Sequence, residues 1–570
     1  MVHSAYYTLD EQLVFRMKKN NLPVLLIGTL LLSLVFMFPY LSNDLSLEHD
    51  TLFHLSRIEG LAQSFRSGKL FPDIYTLKND GFGYGSALFY CDLFLVPAAL
   101  LYLAGFEVAI GYKVTVFLFT WLSGMSMALL LKKLRQNNLI CLFGALCYLF
   151  SNYRITDVYV RGALGEVIAM AFIPLILYGF VDLFLEDEPQ IQMLIAGFTG
   201  VALSHNLTLL LSGIGFVALM IIYYRKMTFS RIIKLMQAGL ITIGLCAWFL
   251  FPMLEQTSFQ SYYLHYYASS SDLASHALMS WQYLINETIF GLSGNYYTYD
   301  QMMVVTPGLA LMFLPVLCLF DIHDKDRMIH FGRKCAALGI FFALLCSDFV
   351  PWDMLSFLRI MQFPWRWMTL ACVFLAVGAS VGCARILHHY RKGTIILFVL
   401  ILFNGIYLLF PVLDRTIVIH NDTTYEELLR GSIVDPYYGN TSYNRIEVAG
   451  ADYLPQGFLD YKNASRCITD LSGNEITCAV EKTDSLSFSA PENTTVLVPL
   501  TSYKGYQIHS GDQKLKWTTV SGRLSFNTEN YTEFTVVYEK TILHRFSIGL
   551  SLTTLFLLFL NKIQRKKAAE

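Results

Sequence analysis

The run Leu47-Glu48-His49-Asp50-Thr51-Leu52-Phe53-His54-Leu55-Ser56-Arg57-Ile58-Glu59 crowds carboxylates, imidazoles and a guanidinium into a few turns of chain. If the stretch after Glu48 is helical, Asp50, His54 and Arg57 stand at i, i+4 and i+7 and share one face. Leu52, Leu55, Ile58 and Ala62 then fall mostly elsewhere. A carboxylate facing a cavity can take a proton from a hydroxyl or an amine. The plainer alternative is an amphipathic helix lying in a membrane interface with its charges in water.

A second group runs from Tyr153 to Glu166 and includes Arg154, Asp157 and Arg161. A guanidinium at Arg161 matches phosphate oxygens with a fork of donors. Glu166, at the mouth of the next apolar helix, can orient a hydroxyl, or can simply complement the positive helix N-terminus. His205, beside Asn206 between two short spans, is either a functional imidazole or a hydrogen-bonded packing residue. In Arg359-Ile360-Met361-Gln362-Phe363-Pro364-Trp365-Arg366-Trp367, an interfacial aromatic belt accounts for both tryptophans. Arg366 at an outer interface runs against the positive-inside tendency, which points to anion binding. Walker A, Gly-X-Ser-X-Gly and His-Glu-X-X-His sequences are absent, so ATP-driven transport and serine or zinc hydrolysis lose support.

These groups must be held by a largely apolar chain. Of 570 residues, 55% are hydrophobic and 15% charged, against about 25% charged in soluble proteins. Mean hydropathy is +0.47. Several apolar runs reach the length that spans a bilayer as helix. Crossings are expected near 21–41, 112–131, 139–152, 165–185, 191–205, 207–223, 235–252, 302–320, 335–350, 367–386, 393–411 and 543–561. Six basic clusters, around Arg16/Lys18/Lys19, Lys132/Lys133/Arg135, Arg225–Lys234, Lys325–Lys334, Arg385–Lys392 and Arg565–Lys567, then all fall on one side, the cytoplasmic one. The segment 86–104, interrupted by Asp92 and Pro97, breaks this parity and is expected to be re-entrant or to lie along the surface.

The expected protein is a multi-pass cell-membrane protein of about 12–13 helices, with both termini cytoplasmic. The expected division is a transmembrane domain over 1–412 with a long first outer loop at 42–111, a β-rich extracytoplasmic domain over 413–541, and a final helix and basic tail over 542–570. The outer parts of this topology collect the ionisable residues that are not basic flanks. A charge at a helix centre costs about 2.5–3.5 kcal/mol, so their gathering at one face suggests a polar cavity opening outward. Strands are expected at Ser485–Phe488, Thr495–Val498 and Thr535–Tyr538, separated by turns such as Ser510-Gly511-Asp512, as in a small β-sandwich. Most of the 11 cysteines lie in apolar spans; Cys467 and Cys478 lie in the polar region and could form one disulfide in an oxidising space. Asn440, Asn463, Asn493 and Asn530 open Asn-X-Ser/Thr triplets there. No basic tract indicates nucleic acid.

The long first outer loop with an acidic residue near its start, the many helices and the terminal β domain together resemble the GT-C superfamily of membrane glycosyltransferases. More narrowly, Asp50-Thr51-Leu52-Phe53-His54-Leu55-Ser56-Arg57-Ile58, Gly83-Tyr84-Gly85, Arg161-Gly162-Ala163-Leu164-Gly165-Glu166 and Gln362-Phe363-Pro364-Trp365-Arg366 are similar to the bacterial YfhO-like membrane proteins. Some of those carry the label "6-pyruvoyl-tetrahydropterin synthase related". Leu500-Thr501-Ser502-Tyr503-Lys504-Gly505-Tyr506 is similar to that family's β domain.

The resemblance implies inverting transfer of a sugar from a polyprenyl-phosphate donor to a cell-envelope polymer or glycolipid outside the cytoplasm. It implies Asp50 as the base, with Glu48 and Asp44 as rivals. Glu48, His54, Arg57, Asp157 and Glu166 would line the substrate, and Arg161, Arg366 and His205 would hold the donor phosphate. Asp157 falls where many superfamily members carry a second acidic motif, but the Asp-X-Asp form is missing; Glu48-His49-Asp50 has the Glu-X-Asp form and keeps a divalent metal open. A separate donor-synthesising transferase and a lipid flippase are the implied partners. Two other classes compete: a flippase for a lipid-linked glycan, and a non-catalytic assembly protein whose β domain binds an envelope polymer. The first would be expected to show an internal repeat or paired broken helices, and neither is evident.

Overall fold

A computed structural model describes residues 22–42, 44–270, 273–274, 277, 304–319, 326–386, 391–414, 418–429, 451–458, 466–478, 480–482 and 485–569. Arg16, Lys18, Lys19, Lys325, Asn440 and Asn463 lie outside the described residues.

Most of the chain is helical. In order the helices are α1 (Leu22–Phe36), α2 (Thr51–Arg66), α3 (Leu93–Leu103), α4 (Val108–Lys133), α5 (Asn138–Leu149), α6 (Asn152–Tyr159) and α7 (Leu164–Phe184). Then follow α8 (Gln192–Ala202), α9 (Asn206–Ile222), α10 (Phe229–Phe259), α11 (Leu309–Leu319), α12 (Arg327–Leu344), α13 (Pro364–Arg385), α14 (Arg391–Leu409) and α15 (Ile542–Ala569). Among the described residues six are long and apolar enough to cross a membrane, and seven if α5 and α6 count as one bent span. The protein is a multi-pass membrane protein. Each expected crossing overlaps a helix, but α1, α8, α9 and α11 have 10–17 residues and are shorter than a full span. α3 is far shorter than the roughly 20 residues a crossing needs. One boundary differs. The chain does not leave the helical layer at residue 152: after a 51° bend it continues as α6, every residue of which is buried.

The chain divides into two compact units. The first comprises Met1–His49, Lys113–Ala238 and Asp272–Val418. Here α13 is central, with 94% of its apolar stretch buried, and α7 follows with 83%; α14, at 22%, faces outward. α12, α11 and α5 pack along α13, and α8 packs along α7. The α7–α8 approach depends on missing side chains. A Cβ at Gly179 would lie 2.4 Å from the backbone nitrogen of Leu194, and one at Gly197 would lie 2.7 Å from that of Ile176. Small residues let helix backbones close where no water exists to drive them together. Lys133 at the end of α4 reaches Asp182 at 2.7 Å and Glu186 at 2.9 Å.

The second unit comprises Asp50–Tyr112, Gly239–Ser271 and Ile419–Glu570. Its β-sandwich has strands β1 (Cys467–Asp470), β2 (Glu475–Cys478), β3 (Val480–Lys482), β4 (Ser485–Ser489), β5 (Thr495–Thr501), β6 (Tyr506–Ser510), β7 (Gln513–Leu515), β8 (Thr518–Val520), β9 (Arg523–Asn527) and β10 (Glu533–Tyr538). One sheet runs β8-β9-β5-β1-β2 and the other β3-β4-β10-β6-β7. Alternation puts Leu486, Phe488, Ile508, Phe534 and Val536 inside, against Ile468, Val496, Val498 and Phe526 of the facing sheet. The expected strands are all present. Register sets Cys467 opposite Cys478.

The first loop is built into this sandwich. Thr501 donates its N–H to Phe82 O at 2.8 Å and its hydroxyl to Gly83 O at 2.7 Å, and Asn79 Nδ2 reaches Thr501 Oγ1 at 3.0 Å. Gly85 lies under the Tyr503 ring, where a Cβ would come within 2.7 Å of Cζ. From α10, Gln256 clasps the backbone of Lys504 with both ends of its amide, at 2.6 and 3.0 Å. The Gly83-Tyr84-Gly85 and Leu500–Tyr506 segments, more than 400 residues apart, are thus neighbours.

Candidate functional site

In the first unit, α6 and the start of α7 converge their ionisable side chains in a buried interior. Tyr153, Asp157, Arg161 and Glu166 are all buried. Asp157 and Arg161 sit one turn apart, and Ala163 N–H returns to Asp157 O at 2.9 Å to fix the turn between the helices. Gly162 takes φ +59° there, which suits glycine. The Arg161 guanidinium donates to Asp157 Oδ1, to Glu166 Oε2 at 2.9 Å and to the Tyr153 hydroxyl at 3.3 Å. Glu166 Oε1 accepts from Tyr153 at 2.7 Å and also from Thr369 of α13. Glu166 therefore accepts three hydrogen bonds, beyond any help it gives the α7 N-terminus. His205 and Arg366 both lie within electrostatic range of Glu166. His205 is the N-cap of α9, its Nδ1 2.8 Å from Thr208 Oγ1.

Glu48 is buried in the same unit and accepts from Tyr40 at 3.0 Å; the same hydroxyl lies 3.2 Å from Val158 O. His49 N–H bonds Val160 O at 3.2 Å, so the chain before α2 is tied to the end of α6. Arg154, on the same helix as Asp157, has no exposed surface; its guanidinium reaches Thr120 Oγ1 and Met170 Sδ, each at 3.3 Å. Asp44 and Ser42 offer their backbone oxygens to Lys113 at 2.7 and 2.8 Å.

In the second unit, Asp50 is the N-cap residue of α2, half-buried, and its carboxylate does not cap the helix. His54 and Arg57 lie inside rather than on a solvated face. Arg57 Nε donates to Asp92 Oδ1 at 2.9 Å, and Nη2 donates to the same oxygen at 2.5 Å and to Cys91 O at 2.9 Å. The guanidinium also stacks 4.1 Å above the Tyr90 ring. Its Nη1 stands 3.1 Å from His54 Nδ1. Arginine carries only donors, so Nδ1 is the acceptor in this contact. Tyr75 closes the network by donating to Asp92 Oδ2. Burial, and then the Asp92 charge, push the Tyr75 hydroxyl well above its ordinary range. Tyr453 is likewise pushed up by burial, then by Asp452 and, further down, by Asp50. Glu59 takes hydrogen bonds from Lys78 and, at 2.9 Å, from Tyr425.

Tyr75, Lys78 and Thr369 carry no signal in the sequence, and Asp92, Glu59 and Arg154 stand there without an assigned role. The signal for Asp92 was present: a carboxylate between Tyr90 and Pro97 in an apolar run needs a buried partner, and Arg57 is that partner. As for metal, no group of three or more His, Cys, Asp or Glu side chains converges among the described residues. The Asp157 and Glu166 carboxylates face the Arg161 guanidinium, which supplies the cation between them.

No protein-family model matches the chain. An uncharacterized protein of Lactococcus lactis subsp. cremoris (strain MG1363) is 23% identical over 354 residues, which are 59% of this chain and 55% of that protein. The chain thus spans about half the length of this curated relative. Among solved structures, the cryo-EM structure of arabinofuranosyltransferase AftD from mycobacteria aligns at 12% identity and a TM-score of 0.46, covering 92% of this chain and 40% of that one.

Proposed function

We propose that this protein is a membrane glycosyltransferase of the GT-C kind. It moves a sugar from a polyprenyl-phosphate donor to a cell-envelope polymer or glycolipid on the side of the membrane that carries the β domain. The observation that carries this reading is the buried Asp157–Arg161–Glu166–Tyr153–Thr369 cluster, with His205 and Arg366 within range. Such a set, desolvated in a membrane protein, suits an anionic leaving group: the guanidinium can exchange a carboxylate for a phosphate oxygen in the same fork geometry.

In the proposed reaction the acceptor oxygen attacks the anomeric carbon as the bond from that carbon to the phosphate oxygen breaks. Asp50 takes the acceptor proton, and the phosphate departs already ionised. Arg161 and Arg366 offset its charge. Of the rival acids, Glu48 is buried and bonded by Tyr40, whereas Asp50, like Asp44, is half-buried, and Asp50 stands at a helix start. This favours Asp50 as the group a substrate can reach.

The test is a transfer assay with purified protein, a panel of polyprenyl-phosphate sugars and envelope extract. Wild type should transfer one sugar, and Asp50→Asn should lose at least about a hundredfold in rate, the scale of general-base catalysis. Normal transfer by Asp50→Asn with Glu48→Gln inactive would move the base to Glu48. Absence of transfer from every donor by folded wild type would favour a flippase.

A further inference from the structure

The second unit contains a cavity of about 370 Å³ that the proposed transfer does not use. Its walls come from α2, α10, the segment 540–555 and the first-loop segment 71–93. Phe71, Leu245, Trp248, Ile548, Leu552 and Leu555 form an apolar body. At one end stand Asp73, Lys540 and His544. Lys540 Nζ is 2.5 Å from Asp73 Oδ1, and His544 Nδ1 is 3.5 Å from Asp73 Oδ2.

Three features identify the occupant. The first is polarity: Lys540 lies just before α15, and His544, Ile548, Ser551, Leu552 and Leu555 follow along that helix. The cavity is polar where the helix meets the sandwich and apolar deeper in the span. The second is depth. From His544 to Leu555 the rise is roughly 16 Å, about half of the ~30 Å hydrocarbon layer. The third is access. Only 6% of the apolar stretch of α15 and 28% of that of α10 is buried, and Leu552 and Leu555 are 63% and 58% exposed. In a membrane, that surface meets lipid tails.

We infer that this cavity takes one acyl chain of a phospholipid from the leaflet next to the β domain, with the lipid phosphate beside Lys540 and His544. The volume lies at the low end for small-molecule sites, whose range is about 300–1,000 Å³. A chain of one-leaflet depth fits it, whereas a polyprenyl chain would run on past Leu555. The inner wall includes Cys91 and Asp92. Asp92 holds Arg57 and Tyr75, so a seated chain braces the segment against which α2 is packed. The lipid is a structural ligand of this unit and stabilises it by mass action.

The experiment uses the full chain, delipidated in detergent, with dioleoyl phosphatidylglycerol as probe and a polyprenyl phosphate as the second arm. Native mass spectrometry counts retained lipid, and thermal unfolding reads stabilisation. Wild type should retain one phosphatidylglycerol and melt at a higher temperature with it. Ile548→Trp, which fills the cavity, should retain none and show no lipid-dependent shift. Lys540→Gln, outside the span, should weaken retention at least several-fold, and it serves as the test if Ile548→Trp does not fold. Unchanged retention in the variant that is read, or retention of the polyprenyl phosphate in place of the phospholipid, overturns the inference. Neither readout depends on sugar transfer, so the two proposals fail separately.

Discussion

Arg57 cannot shed its charge inside a protein, so its surroundings must supply acceptors. Asp92, two backbone oxygens, His54 Nδ1 and the Tyr90 face do so. Breaking such a buried pair from one side leaves the other charge stranded, at a cost of about 3–5 kcal/mol. Asp92→Asn should therefore lower stability by that order in chemical unfolding of the detergent-solubilised protein, and adding Arg57→Met should restore part of it. If the double variant is no better than the single one, the pair is not the source of the loss. A second expectation concerns alkali. Tyr75, Tyr84, Tyr453 and Tyr503 are all held neutral well above their ordinary range, chiefly by burial. Unfolded tyrosines ionise near pH 10. Above that pH the unfolded chain binds fewer protons than the folded one, so stability falls as pH rises, by up to about 1.4 kcal/mol per unit for each group. The melting temperature should fall steeply above about pH 10, with tyrosinate absorbance rising further at the melt, above the contribution of exposed tyrosines such as Tyr224 and Tyr407.

At the scale of elements, the α7–α8 contact is the most exacting packing. A side chain at Gly197 meets the backbone of Ile176, which cannot rotate away. Gly197→Val should cost about 1–3 kcal/mol and lower the yield of monodisperse protein, while Gly213→Val, in open space on α9, should not. The elements themselves were legible in the chain: apolar runs marked the helices, and alternation at Ser485–Phe488 and Thr535–Tyr538 marked strands. The bend at Ser151 was not, because the run of ionisable residues after it looks like an exposed loop. Those residues are helical because they satisfy one another: Arg161 joins Asp157 to Glu166, and Thr156 donates to Val304 O at 2.7 Å. Pairings between distant segments leave no local trace. Asp92 with Arg57, or Gly83 with Thr501, follow from tertiary structure that no periodicity reports.

For the whole molecule, charge predicts the orientation in the membrane. The basic turn at Arg225-Lys226 is exposed, as positive-inside asymmetry requires of a cytoplasmic loop. The Ser510-Gly511-Asp512 hairpin should then face the other side. A cysteine placed at Gly511 should react with a membrane-impermeant maleimide in intact cells, and one placed at Arg225 only after permeabilisation. The reverse pattern would invert the topology and place the β domain in the cytoplasm.

The hydrogen bond from Thr501 to Gly83 closes a loop of 418 residues, and this has a consequence for biosynthesis. A ribosome adding about 5–20 residues per second needs roughly 20–80 s to travel that distance. During that interval the first loop exists without the strand that completes it, carrying Asn79, Gly83 and Gly85 unmatched. Chains released early are left with an unfinished loop, a natural target for proteases, so only a translated C-terminus certifies the N-terminal loop as finished.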